Sequence, residues 1–376
     1  MSNVLLDEFD KPSPKVEDED IESEGTITQP FDPAKIRVET KQLSVDNLLS
    51  RMENKEIVLQ PDFQRMEVWK DKARSRLIES ILIRIPLPAF YMDATDDDKW
   101  LVVDGQQRLS TLHRFVLEQS LCLQGLEFLS EFEGFKFDQL PRAFQRRIRE
   151  TNVTVYLIEK GTPSAVKINI FKRINTGGLP LSAQEIRHAL NGDPVTTMLK
   201  SLAASQPFQI ATNHGVPSER MADREYVARF FAFVLTDPDE FASQEFDSFL
   251  SDTMARINQL DELGRRNLEA RFLRSMKWSH DILGRLAFRK FFTLAPDDRL
   301  RPVNKALFEA WSVNFDRLSD VELLELAKRR SILQEKFIHL IDDRAFEQSI
   351  SQGTGDIQKV RLRFAAIRKI IWDILQ

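Results

Sequence analysis

The chain has 376 residues, 42% of them hydrophobic, enough for a buried core and, by length, for about two domains. No apolar run reaches the roughly 18 residues of a membrane span and no basic start precedes an apolar leader, so a soluble, cytoplasmic protein with no membrane contact is expected. The formal charge of −5 is uneven, with ten acids against Lys11 and Lys15 in residues 1–34, and the single cysteine, Cys122, excludes a disulfide framework or a multi-cysteine zinc site.

Residues 1–34 carry four prolines and few large apolar groups, a composition expected to stay disordered. The acidic tail reads as a solubilising segment or as an imitation of nucleic acid over a basic site. From residue 35 to about 190 short β-type runs alternate with helical ones. Ser44 can cap a helix ending near Glu53, and Ile57-Val58-Leu59 reads as a strand stopped by Pro61. Trp69, Leu77, Ile78, Ile81 and Leu82 fall at helical spacing before Pro86 and Pro88. A hairpin follows, with strands at 88–92 and 100–103 and a turn at Asp96-Asp97-Asp98. The apolar stripe Leu109, Leu112, Phe115, Val116 places the next helix directly after Asp104-Gly105. A helix near 141–150, a strand at 153–158 and a helix from Pro163 towards Asn175 complete this half. Cys122 is expected as a buried apolar side chain.

Beyond Leu190 the alternation stops, and amphipathic stretches run near 222–236, 244–264, 266–294, 302–315, 319–344 and 356–375. The expected fold class is therefore α+β, with an α/β domain over 35–190 followed by an all-helical domain over 191–376.

Three clusters suit phosphate chemistry. In Val102-Val103-Asp104-Gly105-Gln106-Gln107-Arg108 a strand ends in Asp-Gly and turns into a helix whose amino-terminal N–H groups and dipole face the turn. Gly105 allows close backbone approach, Gln106 and Gln107 can bind ribose or base edges, and Arg108 offers a planar fork. Asp104 can hold a divalent cation or polarise a water, although an Asp-Gly turn by itself is common. Pro61-Asp62-Phe63-Gln64-Arg65 again sets Gln64 and Arg65 beyond a strand, and reads equally as an aromatic plug with a surface Arg. Lys172, Arg173, Asn175, Thr176, Gly177 and Gly178 form a loop with free backbone geometry before Ser182 and Glu185, a capping box. That stretch reads either as an anion-accepting loop or as a glycine helix stop, which leaves Lys172, Arg173 and Arg187 unexplained.

Phe63-Gln64-Arg65, Glu79-Ser80-Ile81-Leu82 with Ile85-Pro86-Leu87-Pro88, Val102 to Arg108 and Phe171 to Arg187 occur in the order of the family known as domain of unknown function 262. The chain resembles that family over roughly 40–190, with a weaker echo at 354–364. The family is similar to ParB and sulfiredoxin-like domains and includes the GmrS-type half of Type IV restriction and phage-defence proteins. The resemblance implies a nucleoside-triphosphate-binding and hydrolysing domain in which Asp104, Gln107 and Arg108 share a site with Gln64 and Arg65. On that reading Asp104 orients the cation, expected to be Mg2+, and Arg108 and Arg65 neutralise phosphate charge. Lys172, Arg173, Asn175, Thr176, Gly177 and Gly178 join Gln64, Gly105, Gln106 and Gln107 around the nucleotide. Longer members carry an HNH nuclease domain. Here His113, His188, His214, His280 and His339 are scattered, so nuclease activity is expected from a separate partner.

The alternative is a non-enzymatic DNA-binding or adaptor protein. Arg265, Arg266, Arg271, Arg274 and Lys277, interleaved with Phe272 and Trp278, could meet a DNA backbone or could be the solvated face of a helix whose aromatics are core. Added salt separates the two functions, because many phosphate contacts weaken steeply whereas one bound nucleotide responds less. Candidate partners are thus a nucleoside triphosphate, DNA, a nuclease or defence protein and a second copy of the chain.

Overall fold

The computed structural model describes residues 36–59, 69–174, 182–242, 245–295 and 300–376. The expected tail over 1–34 lies outside them. Chain contacts divide the protein between Leu181 and Ser182 into two compact units.

The first unit runs β1 (Val38–Ser44), α1 (Val45–Glu53), β2 (Ile57–Val58), α2 (Asp71–Leu82), β3 (Phe90–Asp96), β4 (Lys99–Asp104), α3 (Gln106–Val116), α4 (Arg142–Glu150), β5 (Asn152–Glu159) and α5 (Ser164–Ile174). Its five strands lie in the order β1-β5-β3-β4-β2. The β1/β5 and β3/β4 pairs are antiparallel, and the β5/β3 and β4/β2 pairs are parallel. Ser44 ends β1 and caps α1, its Oγ accepting from the Asn47 N–H at 3.2 Å. Phe90, Met92, Val102 and Val155 project from one sheet face into a core shared with Leu48, Ile78 and Leu109 of the helices. On β3 the alternate residues Tyr91, Asp93 and Thr95 point to the opposite face. Lys167 of α5 reaches that face, its Nζ 3.0 Å from Asp93 Oδ2.

An irregular stretch follows α3. Leu121 and Leu123 are buried but Cys122 between them is exposed, because an extended chain turns alternate side chains outward, so the expectation of a buried cysteine is corrected. Glu79 of α2 anchors this stretch by accepting the backbone N–H groups of Glu127, Phe128 and Leu129 at 2.7–3.0 Å.

The second unit is helical: α6 (Ala183–Asn191), α7 (Val195–Ala203), α8 (Gln206–Ala211), α9 (Ala222–Leu235), α10 (Phe246–Gln259), α11 (Glu262–Leu283), α12 (Lys305–Asp316), α13 (Asp320–Lys328), α14 (Arg330–Ile341), α15 (Arg344–Ser351) and α16 (Ile357–Leu375). This is the α+β domain followed by a helical region that the pattern predicts. Three boundaries differ. The break expected near 265 falls at Leu260, because Asp261 caps α11 by accepting from the Gly264 N–H at 2.8 Å. That helix stops at Leu283 rather than 294, where Gly284 adopts φ +58°. The stretch 319–344 is two helices meeting at Arg329. No described helix is long and apolar enough to cross a membrane.

Phe230, Phe272, Phe308 and Trp311 centre the core of this unit, and a chain of buried charges passes through it. Arg187 bonds Asp247 and lies 3.8 Å from Glu225, Arg229 bonds Glu225 at 2.9 Å and Glu309 at 3.4 Å, and Arg363 bonds Glu309. Burial would raise the Glu225 carboxyl, but Lys305, Arg229 and Arg187 outweigh it and hold the group far below the usual carboxylate range. Arg187, left over when α6 is read only as a capped helix, is thereby accounted for as a core residue. The echo at 354–364 has the same basis, since Arg363 donates to Thr354 O at 2.7 Å.

Candidate functional site

β4 commits Trp100 and Val102 to the core and delivers Asp104 at its end. The next residue, Gly105, has φ +100° and is the N-cap of α3, so the strand becomes a helix within one residue. That φ is strained for any L side chain, and a Cβ there would run into the Phe90 ring and sit 3.3 Å from Arg108 Nη2. Glycine therefore serves both backbone and packing. The N-cap glycine supplies no capping side chain to α3, whose first turn carries Gln106 and Gln107, and the helix dipole favours negative charge at the turn.

Arg108 is buried, and its guanidinium is committed within the protein. Nη2 donates to Asp104 Oδ2 at 2.6 Å, Nη1 donates to Pro88 O and, at 3.2 Å, to Ala89 O, and the group lies 4.6 Å from the centre of the Phe90 ring. Burial lowers its pKa, and the Asp104 carboxylate opposes that shift. The fork read from the sequence as a phosphate ligand is thus set on Asp104 and on the backbone that leads into β3. The Asp104 side chain keeps 30% of its exposure against 10% for Arg108, so the carboxylate is the member of the pair that a ligand can reach.

Tyr91 and Tyr156 are part of the same place and carry no motif of their own. Tyr91 stands opposite Asp104 in the β3/β4 register, and its ring stacks on Tyr156 at 4.8 Å and 21°. Burial, with Tyr156 and Asp104 adding to it, raises the Tyr91 phenol above its ordinary value while Arg108 pulls it back, which sets the hydroxyl in the field of the Asp104–Arg108 pair. The available signal is alternation, since Tyr91 falls on the opposite sheet face from Phe90 and Met92. Asp93 was also missed, because a strand ending at Met92 leaves it in the turn, whereas β3 continues to Asp96.

The third cluster is tied to this sheet through α5. That helix contacts β4, and Lys167 in its first turn already meets Asp93 and Thr95. Gln64, Arg65, Asn175, Thr176, Gly177 and Gly178 lie outside the described residues, as do the side chains of Lys172 and Arg173.

Asp104 was also expected to hold a cation. Among the described residues no group of three His, Cys, Asp or Glu side chains could hold a metal ion. One carboxylate with an accessible oxygen suits magnesium, which keeps waters and takes phosphate oxygens, better than it suits an all-protein cage.

The basic stretch in the helical unit is largely occupied. Arg271 Nη2 meets Asp316 Oδ2 at 2.5 Å, Arg274 Nε meets Asp320 Oδ1 at 2.9 Å, Arg266 pairs with Glu262, and Arg265 donates to Leu260 O. Lys277 is exposed, and Phe272 is fully buried. The aromatics of this stretch are core, and Arg271 and Arg274 tie α11 to Asp316 and Asp320 of the neighbouring helices.

Residues 45–191 match the family model for the GmrSD restriction endonuclease, N-terminal domain. The match supports a GmrS-type domain and associates the chain with restriction. No curated protein sequence is significantly similar to the chain. The GmrSD-type segment starts at the first residue of α1, passes through Asp104 and Arg108, and ends with α6, so β1 lies before it.

Proposed function

We propose that the GmrSD-type domain is a ParB/sulfiredoxin-like module that binds a nucleoside triphosphate with a divalent cation at the amino end of α3 and hydrolyses it, in service of a restriction or defence system. The observation that carries this is the Gly105 turn: a strand-end carboxylate, bonded by Arg108, stands beside a helix amino terminus whose N-cap is a glycine. Such a turn accepts phosphate oxygens on backbone N–H groups and the helix dipole without a further side chain. A bound magnesium ion would neutralise charge on the phosphate oxygens, and Asp104 is the residue to hold it.

In this reading Arg108 acts through Asp104, holding the carboxylate in place at the end of β4. Charge on the transferring phosphoryl group falls instead to Arg65 and to Lys172 and Arg173 of the last turn of α5. Gln64, Gln106, Gln107 and the Asn175 to Gly178 stretch position the nucleotide. DNA binding through Arg271 and Arg274 is the weaker reading, because both guanidinium groups already face carboxylates. Cleavage of DNA would come from a nuclease partner.

The test is phosphate release from ATP, GTP, CTP and UTP with magnesium, with and without DNA, in the wild type and in Asp104→Asn. Release that the substitution removes, with nucleotide binding retained, is the expected result. Equal release in both would take Asp104 out of the mechanism, and no release from either would reduce the domain to a binding module.

A further inference from the structure

β1 is an edge of the sheet, paired with β5 on one side and with no described strand on the other. It is seven residues long, and Val38 at its start and Ile36 just before it stand 41% and 39% exposed. An open edge of that length with apolar side chains at its end is a template for another strand. The hydrogen-bond phase shows which groups it offers. Glu159 N donates to Arg37 O at 2.9 Å, so Arg37, Glu39, Lys41 and Leu43 turn their N–H and C=O groups to β5. Val38, Thr40 and Gln42 turn theirs to the open side.

Glu39 and Lys41 share one sheet face, 3.0 Å apart. Charges on an edge strand ordinarily repel incoming strands. A second β1 running antiparallel, with Thr40 opposite Thr40 of its copy, sets each Glu39 against the other copy's Lys41. It also brings the outward groups of Val38, Thr40 and Gln42 into hydrogen-bonded pairs. Centring the pairing on Lys41 or on Glu39 instead would oppose like charges, which is destabilising in directly facing pairs. Of these three centres the charge order selects Thr40, and the occupant it fits is a second copy of β1.

We propose that two copies of this chain associate through β1, centred on Thr40, joining their sheets across a two-fold axis. This goes beyond nucleotide turnover and does not depend on it. Thr40 N–H points away from β5, so Thr40→Pro removes a contact of the pairing and none of the β1/β5 ladder.

The experiment is light scattering of the full-length chain across a dilution series, with four variants. The wild type is expected at twice the monomer mass and Thr40→Pro at monomer mass with an unchanged circular dichroism spectrum. Glu39→Lys should also be monomeric, and Glu39→Lys with Lys41→Glu should recover the dimer, which keeps the test valid if the proline variant fails to fold. In a Cys122→Ser background, Thr40→Cys should form an intermolecular disulfide, since facing hydrogen-bonded residues lie about 5.5 Å apart at Cα. A wild type that is monomeric throughout, or a dimer that Glu39→Lys leaves intact and Thr40→Cys fails to cross-link, would overturn the proposal.

Discussion

Asp104 Oδ2 and Arg108 Nη2 are bonded at 2.6 Å across the Gly105 turn, so the end of a strand and the first turn of a helix share one ion pair. Because Arg108 also holds Pro88 O and Ala89 O, its loss strands two backbone carbonyls and a carboxylate. Arg108→Ala is expected to cost about 2–4 kcal/mol in urea unfolding, while Asp104→Asn, which still accepts from Arg108, should cost under about 1.5 kcal/mol. Both should lose phosphate release. A stability loss confined to Asp104→Asn would reverse the assignment of which residue positions the other.

Gly105→Ala places a methyl group against the Phe90 ring on a backbone at φ +100°. An expected loss of about 2–4 kcal/mol combines overpacking with left-handed strain. Pairing it with Phe90→Leu should recover only the packing part, as equilibrium unfolding of the double variant would show.

Glu79 supplies a pH dependence of known sign. Burial would raise its carboxyl, but the N–H groups of Glu127, Phe128 and Leu129, with Arg76, outweigh that and hold it below its ordinary value of 4.5. A group depressed in the folded state contributes fully above its unfolded value and loses that contribution as pH falls through the folded one. Glu79→Gln should therefore be less stable at neutral pH by about 1–3 kcal/mol, and the gap to wild type should narrow as pH drops from about 5 to about 3. A gap independent of pH, measured by urea titration at each pH, would refute the assignment.

Glu309 is fully buried between Arg229 and Arg363. Glu309→Gln leaves two guanidinium groups without their shared countercharge and should cost about 3–5 kcal/mol. Calorimetry of the full chain would show a lower helical-unit transition; an unchanged trace would mean that the network is dispensable.

Sequence pattern reached most of this architecture where local chemistry and tertiary packing agree. Ser44, the hairpin and the Asp104-Gly105 strand-to-helix turn each announce themselves through caps, turns or alternation. β1 does not, because an edge strand reading Val-Glu-Thr-Lys-Gln-Leu-Ser has little contrast between its faces. The sequence offers Arg108 as a phosphate ligand, yet its direction is not legible there: a guanidinium can serve a ligand or a carboxylate, and only the fold decides. Tyr91 escaped for the related reason that its role depends on a register partner thirteen positions later along the chain. Cys122 was misjudged because composition favours burial while alternation beside Leu121 and Leu123 turns it out.

The family-matched segment ends with α6, but that helix lies beyond Leu181, in the core that holds Asp247 and Glu225. What is inherited as one stretch of sequence is therefore folded in two places. A fragment cut at residue 191 would carry Ile186 and Arg187 out of their surroundings, as a sticky, unsatisfied helix. Gene fusions and expression fragments that preserve this domain must respect the folding boundary near 181 or take the helical half with them.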